Sequence, residues 1–252
     1  MEEPYNKELL SIGQKILKIL KELSKFLIIE PKCARLLLKE SGQKNLRINR
    51  KNKRFIYLIS PNYIKNNDFY GKLKQALSSN KVNFFQLRLK KEKRKKKIIV
   101  AKKIKKICKK YKVKFLINDD PFFAKKINAD GCHLGQKDMN ILKARKILKN
   151  KIIGITCHNS IKLAKRAILD SADYLAFGAF YSSKTKKVRY KARLKVLSIT
   201  RGITNIPIVA IGGINQNNYK KLLLNKANFL AISGYIWTNK KYKPVDAIRR
   251  IK

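Results

Sequence analysis

Residues 114–134 read KFLINDDPFFAKKINADGCHL and hold one full period of the chain's rhythm. Lys114–Asn118 is a short apolar run of the kind that forms a strand buried on both faces. Residues 121–128 read as a helix, with Pro121 at its first position and Asp120 before it as the cap. Gly131–Leu134 is a second short apolar run, with Asp130 as the turn residue leading into it. Strand, helix, strand in this order is the unit of a parallel α/β fold.

The same alternation runs outward to both sides, from residue 54 to the end of the chain. The other strand candidates are Phe55–Ile59, Asn83–Arg88, Ile152–Thr156, Tyr174–Gly178, Ile208–Ile211 and Phe229–Ser233. Lys-rich amphipathic segments near 68–79, 93–111, 139–149, 160–170, 190–202, 215–226 and 244–251 separate and follow them. Eight strands, each followed by a helix, predict a (β/α)8 TIM barrel, because closure leaves no edge strand exposed. Such a barrel takes about 250 residues, and the chain has 252. An open doubly wound sheet is the alternative.

Residues 1–50 differ. Leu9, Ile12, Ile16, Ile19, Leu20, Leu23 and Leu27 fall at helical spacing, and Ser41 to Lys53 is polar and basic. The expectation is a helical N-terminal extension and linker over 1–50, with the barrel over 51–252. A dimer arm, a cover for the barrel bottom and a contact for another enzyme are open roles for that helix, and homo-oligomerisation stays open with them.

The formal charge is +47, from 62 Lys and Arg against 15 Asp and Glu. Nucleic acid is the reflex partner for such a charge. Yet Lys is spread over nearly every segment, and Ile and Asn are abundant too, the pattern of an AT-rich coding bias. No specific nucleic-acid partner is therefore expected. No apolar run approaches the roughly 18 residues of a membrane span, so no membrane partner is expected either. The start Met-Glu-Glu-Pro lacks the basic and apolar blocks of a signal peptide. Cys33, Cys108, Cys132 and Cys157 show no C-x-x-C spacing, which predicts free thiols, no zinc site and a cytoplasmic location.

Against this background the acids stand out. Asp119, Asp120, Asp130 and Asp138 are the only ones between Lys93 and Leu169. Asp119 follows the third strand and Asp138 closes Gly135-Gln136-Lys137-Asp138 after the fourth. The pair suits one Mg2+, which takes one or two carboxylates plus phosphate oxygens. Asp138 is also a candidate helix cap before Met139.

The other unusual residues also sit at strand ends, which form the active-site face of such a barrel. The second strand ends Gln86-Leu87-Arg88-Leu89-Lys90, and alternation turns Gln86, Arg88 and Lys90 to one side. Polar side chains facing the axis are costly without a ligand or partner, and guanidinium and ammonium groups suit diphosphate oxygens. A basic rim of the surface is the plain alternative. Thr156 ends the fifth strand, where its hydroxyl can bond a polar substrate group. His133 and His158, the only two histidines, read equally as structural residues or as acid–base groups. GAFYSSKTKK (178–187) after the sixth strand alternates hydroxyls with lysines, as a phosphate-gripping loop or lid would. Gly212-Gly213 and Ser233-Gly234 follow strands seven and eight, where barrels often bind phosphate and glycine lets amides approach an anion.

Taken together, QLRLK, LINDDPFFAKKINADGCHLGQKD, IIGITCH, ADYLAFGAFYSSKTKK, IPIVAIGGIN and LAISG resemble the thiamine-phosphate synthase family and its close relatives, in order over roughly residues 54–237. The resemblance implies a transferase of thiamine biosynthesis. It would join a hydroxymethylpyrimidine diphosphate to a thiazole phosphate, or its carboxylated form, and release diphosphate. It implies Mg2+ on Asp119 and Asp138. Gln86, Arg88, Lys90 and Asn118 would bind the pyrimidine diphosphate. Thr156 stands where the family usually has Ser near the pyrimidine, and Ser183 and Thr185 where it usually has two Thr. Lys186 matches its diphosphate-binding lysine, while Gly213, Ile232 and Ser233 would bind the thiazole phosphate. Arg88, Lys90, Lys186 and Thr156 are the residues expected to act on the reacting groups. Ala179 and Ser182 replace common prolines of the phosphate loop. A thiazole tautomerase of the same superfamily, with His158 as proton shuttle, is one alternative function, and a basic nucleic-acid-binding protein is another.

Overall fold

The structure, a computed structural model, describes residues 55–64, 68–90, 92–183 and 189–252. The helix and linker expected over residues 1–50 lie outside the described residues. In chain order the elements are β1 (Ile56–Ile59), α1 (Asp68–Leu77), β2 (Val82–Leu87), α2 (Arg94–Lys110), β3 (Lys114–Asn118), α3 (Pro121–Lys126), β4 (Gly131–Leu134) and α4 (Ile141–Leu148). There follow β5 (Ile152–His158), α5 (Ile161–Leu169), β6 (Tyr174–Gly178), α6 (Lys195–Ile203), β7 (Ile208–Ile211), α7 (Tyr219–Leu224), β8 (Phe229–Ile232), α8 (Gly234–Trp237) and α9 (Pro244–Arg249). The strands pair in parallel from β1 through β8, and β8 returns to β1 to close the barrel. The closed (β/α)8 architecture is the one expected, and the open sheet is excluded.

Strand alternation builds two cores. Tyr57, Phe84, Leu116, Tyr174, Val209 and Phe229 pack inside the barrel with Ile59, Ala176 and Ala231. Their neighbours Leu58, Phe85, Ile117, Leu175, Ala210 and Leu230 face outward and join Leu73, Ile104, Ala164 and Leu222 of the helices. Both faces of each strand are buried, which is why the runs read as continuously apolar. In α2 only Val100, Ala101, Ile104 and Cys108 are buried. This stripe explains how so Lys-rich a segment still packs as a helix.

One glycine records how tightly the interior is filled. A Cβ on Gly154 would lie 1.8 Å from the Tyr174 ring. The ring therefore occupies the space that any larger residue on β5 would need.

At the opposite end of the barrel from the strand C-termini, three residues clamp the entries of strand pairs. Asp130 accepts from the Phe115 amide at 2.8 Å, Asp173 from Ile153 at 2.7 Å and Asn228 from Ile208 at 2.8 Å. Cations hold all three acceptors in place, with Arg145 on Asp173 at 2.6 Å, Lys114 on Asp130 at 3.5 Å and the Arg201 guanidinium donating to Asn228 Oδ1. Asp130 is thus the turn residue expected before β4.

Three helices start later than their apolar pattern suggested. α4 waits for Asn140, whose side chain accepts from the Lys143 amide at 2.8 Å. Before α6, Tyr190 and Ala192 exchange main-chain hydrogen bonds with Ala179 at 2.9 Å each and stay extended. Before α7, Asn215 and Asn218 use their side chains on nearby amides at 2.8 and 2.9 Å, forming turns that compete with a helix.

Candidate active site

The C-terminal strand ends meet at one mouth. Gln86, buried at the end of β2, donates from Nε2 to Asn118 Oδ1 of β3 at 2.6 Å. The Arg88 amide donates to Ser60 Oγ at 2.9 Å, and its guanidinium donates to Asn62 Oδ1. Lys90 Nζ lies 3.0 Å from Asp119 Oδ2. Gln86 thus meets a partner on β3, while Arg88 and Lys90, just past the end of β2, meet partners just past β1 and β3.

Asp119 has a positive φ of 68°, a conformation that Asp tolerates better than most residues. Its amide donates to the His133 carbonyl at 2.8 Å. Asp138 sits in a tight turn: its Oδ2 accepts from the Gly135 amide at 2.6 Å. The two carboxyl groups come within hydrogen-bonding reach of each other. Burial lifts Asp138 above its ordinary carboxylate value; the Gly135 amide opposes the rise and Asp119 adds to it. Asp138 caps no helix, because Asn140 takes that role. Asp120 does cap α3, accepting from the Phe123 amide at 2.8 Å.

Thr156 on β5 is bound from two sides. Its Oγ1 lies 2.9 Å from His133 Nε2, and its carbonyl accepts from Gln136. His133 Nδ1 lies 2.8 Å from the Tyr174 hydroxyl, and that hydroxyl lies 2.8 Å from the hydroxyl of Tyr57. Burial lowers His133 to about 4, outweighing the upward pull of Asp119, so its ring is neutral near pH 7. His158 instead stacks on Tyr190, with centroids 4.1 Å apart.

On the other side of the mouth, the Phe180 and Tyr181 amides donate to Ile211 and Gly212 carbonyls at 3.1 Å. The feet of the phosphate-loop candidate are thus tied to β7 and, through Ala179, to Tyr190 and Ala192, although proline is missing at 179 and 182. Ser183 lies at the end of this described stretch; Thr185 and Lys186 lie outside the described residues. Gly213 has φ 61°, and a Cβ there would lie 2.2 Å from the Ser182 carbonyl oxygen. Only glycine lets the two loops approach so closely. Ile232 ends β8 and packs its side chain into the helix-facing core. Ser233 Oγ donates to the Ser60 carbonyl at 3.2 Å and precedes α8.

The sequence reading missed Asn62, the two inward tyrosines and α8. Tyr57 and Tyr174 carried a readable signal: a tyrosine at an inward strand position needs a partner for its hydroxyl. The segment Gly-Tyr-Ile-Trp gave no period from which to read a helix. Its Trp237 donates to the Ile59 carbonyl at 2.6 Å and packs 5.1 Å from the Phe69 ring.

A sequence model described as thiamine monophosphate synthase matches residues 56–236, which span all eight strands. The chain belongs to the thiamine monophosphate synthase family. It is 71% identical over 204 residues to the thiamine-phosphate synthase of Pelagibacter ubique, covering 81% of this chain and 99% of that protein. It is 37% identical over 184 residues to the thiamine-phosphate synthase of Nitrosomonas eutropha, covering 73% and 86%. Among solved structures, the thiamine phosphate pyrophosphorylase from Pyrococcus furiosus aligns with a TM-score of 0.70 at 27% identity, over 81% of this chain and 96% of that one. The thiamine monophosphate synthase match covers the described residues of the mouth from Ile56 through Ile236. Among the described residues no helix is long and apolar enough to cross a membrane.

Proposed function

We propose that the chain couples a hydroxymethylpyrimidine diphosphate with a thiazole phosphate, giving thiamine monophosphate and diphosphate, at the mouth of its barrel in the cytoplasm. The observation that carries this reading is the meeting of Asp119 and Asp138 beside Lys90. Two carboxylates driven together in so basic a protein are poorly explained by stability alone, since each raises the cost of charging the other. They fit a hard divalent cation. Among the described residues no third carboxylate, histidine or cysteine joins them, so further ligands would be diphosphate oxygens and water, the usual pattern for Mg2+. A bound Mg2+ would supply Lewis-acid neutralisation of the diphosphate.

The side chains suit the remaining tasks. Lys90, exposed and paired among the described residues with Asp119, can turn its ammonium to a diphosphate oxygen. Arg88 is oriented through Asn62 and keeps further N–H donors for the same group. Gln86 donates to the Asn118 oxygen, which leaves the Asn118 amide nitrogen as a donor toward the mouth. Thr156 offers its hydroxyl to the pyrimidine. Gly213, the Ile232 main chain and Ser233 would bind the thiazole phosphate, and Ser183, Thr185 and Lys186 would serve as ligands of the diphosphate.

The bond from the pyrimidine methylene to the diphosphate oxygen breaks first, and its electron pair leaves with the diphosphate. The electron-rich aminopyrimidine ring stabilises the resulting cation. The thiazole nitrogen then donates its lone pair to form the new C–N bond. No proton is transferred, so no general base is needed, and a neutral His133 engaged at both nitrogens fits this requirement. The protein's contribution is charge stabilisation and positioning.

Purified protein mixed with both substrates and Mg2+ is the test. Formation of thiamine monophosphate and diphosphate in equal amounts supports the reading. Absence of product from folded protein contradicts it. A tautomerase would not need both carboxylates, and their juxtaposition favours the synthase.

A further inference from the structure

Beneath the mouth, four polar side chains from four strands form one row: Tyr57 of β1, Tyr174 of β6, His133 of β4 and Thr156 of β5. The contacts are 2.8, 2.8 and 2.9 Å along the row. Both tyrosines are 1% exposed, while Thr156 reaches the open end. The row is a wire from the closed interior to the mouth.

Its direction follows from donor counting. A neutral imidazole carries one N–H, so one ring nitrogen donates and the other accepts. In one wiring Thr156 donates to Nε2, Nδ1–H donates to Tyr174, and Tyr174 donates to Tyr57. The Tyr57 O–H is then left in the barrel interior, and among the described residues its hydroxyl meets no partner but Tyr174. In the opposite wiring Tyr57 donates to Tyr174, Tyr174 donates to Nδ1, and Nε2–H donates to Thr156. Every buried donor is then used, and the Thr156 O–H is the one proton left to point outward. A buried O–H without an acceptor is costly, whereas a spare phenol lone pair costs little. The second wiring therefore prevails.

We infer that His133 is a positioning residue that, with Tyr57 and Tyr174 behind it, fixes the Thr156 hydroxyl as a hydrogen-bond donor toward the substrate. The inference rests on the reading of the mouth as a pyrimidine site, and it adds a selection rule. An aminopyrimidine edge offers amino N–H donors beside ring-nitrogen acceptors. A Thr156 already accepting from His133 and facing outward as a donor seeks the ring nitrogen.

The wiring itself is tested without substrate. Long-range 1H–15N NMR of the full-length protein near neutral pH reads which ring nitrogen of each histidine carries the proton. With only two histidines, a His158→Gln variant assigns the signals. His133 protonated at Nε2 alone is the expected result; protonation at Nδ1, or at both nitrogens, overturns the inference. The second arm is kinetic. Thr156→Val and His133→Leu should each raise KM for the pyrimidine diphosphate by roughly tenfold, with KM for the thiazole phosphate little changed. Adding His133→Leu to Thr156→Val should cost less than about twofold more, because the two residues act as one unit. Independent, multiplying losses would overturn it. His133→Gln, which restores an N–H near the Nε2 position, should recover part of the loss that His133→Leu causes. Finding Nε2–H in a protein that makes no thiamine monophosphate would leave the wiring standing and remove the function, so the two failures are separable.

Discussion

Asp138 holds two conflicting demands. Its carboxyl lies against that of Asp119, and burial and that neighbour both resist its charge. Asp138→Asn keeps an acceptor for the Gly135 amide and removes the conflict. Thermal unfolding with a chelator present should therefore show the variant equal to or more stable than the parent by about 1 kcal/mol or less. Product formation at limiting Mg2+ should fall by roughly tenfold or more. His133 carries a different prediction. Its folded value, about 4, lies below its ordinary 6.5, so the unfolded chain binds a proton that the folded one refuses. This contribution to stability is complete above about pH 6.5 and is lost as pH falls toward 4. By linkage it amounts to at most about 3 kcal/mol, less where the ring edge nearest the mouth is screened. Denaturant unfolding of the parent between pH 7 and 4.5 should show this loss, and His133→Gln should show a smaller slope. The acid pair was legible in the sequence because acids are scarce there. The row through His133 was not, since Tyr57 and Tyr174 are 117 residues apart and only barrel closure brings them together.

At the scale of elements, the strands were legible because burial on both faces leaves unbroken apolar runs, and four of the eight were placed to the residue. Helix starts were not, since Asn140, Asn215 and Asn218 spend side-chain hydrogen bonds on turns that an apolar period cannot reveal. The clamps at the far end were only partly legible: Asp130 read as a turn residue, but the shared device with Asp173 and Asn228 needs the strand register. Asp173 binds both Arg145 and the Ile153 amide. Asp173→Ala removes a charged acceptor from both at once. It should lower stability in urea by about 2 kcal/mol, while kcat and KM of the remaining folded protein stay within about twofold, because the clamp lies at the end of the barrel that reads as stability and not chemistry.

The whole molecule presents a charge that invites a nucleic-acid reading. Residues 1–50 carry 11 basic and 6 acidic side chains, and the remaining residues 51 and 9, so the excess of +42 lies on the barrel portion. A diffuse excess predicts binding to duplex DNA at low salt that falls steeply on raising it, with Kd weaker than about 1 μM at physiological salt and no sequence preference. Titration of labelled duplexes at several salt concentrations checks this, and tight, sequence-selective binding at physiological salt would reverse it. We propose a narrower role for charge: the cations that matter stand opposite two aspartates at one mouth, where they would handle a metal-bound diphosphate. The most direct measurement is the rate of thiamine monophosphate formation as a function of Mg2+ concentration, for the parent and for Asp119→Asn. The account predicts a Mg2+-dependent rate in the parent and, in the variant, a rate lower by roughly 100-fold that more Mg2+ partly restores. Equal rates in the two proteins, or formation of product indifferent to Mg2+, would contradict it.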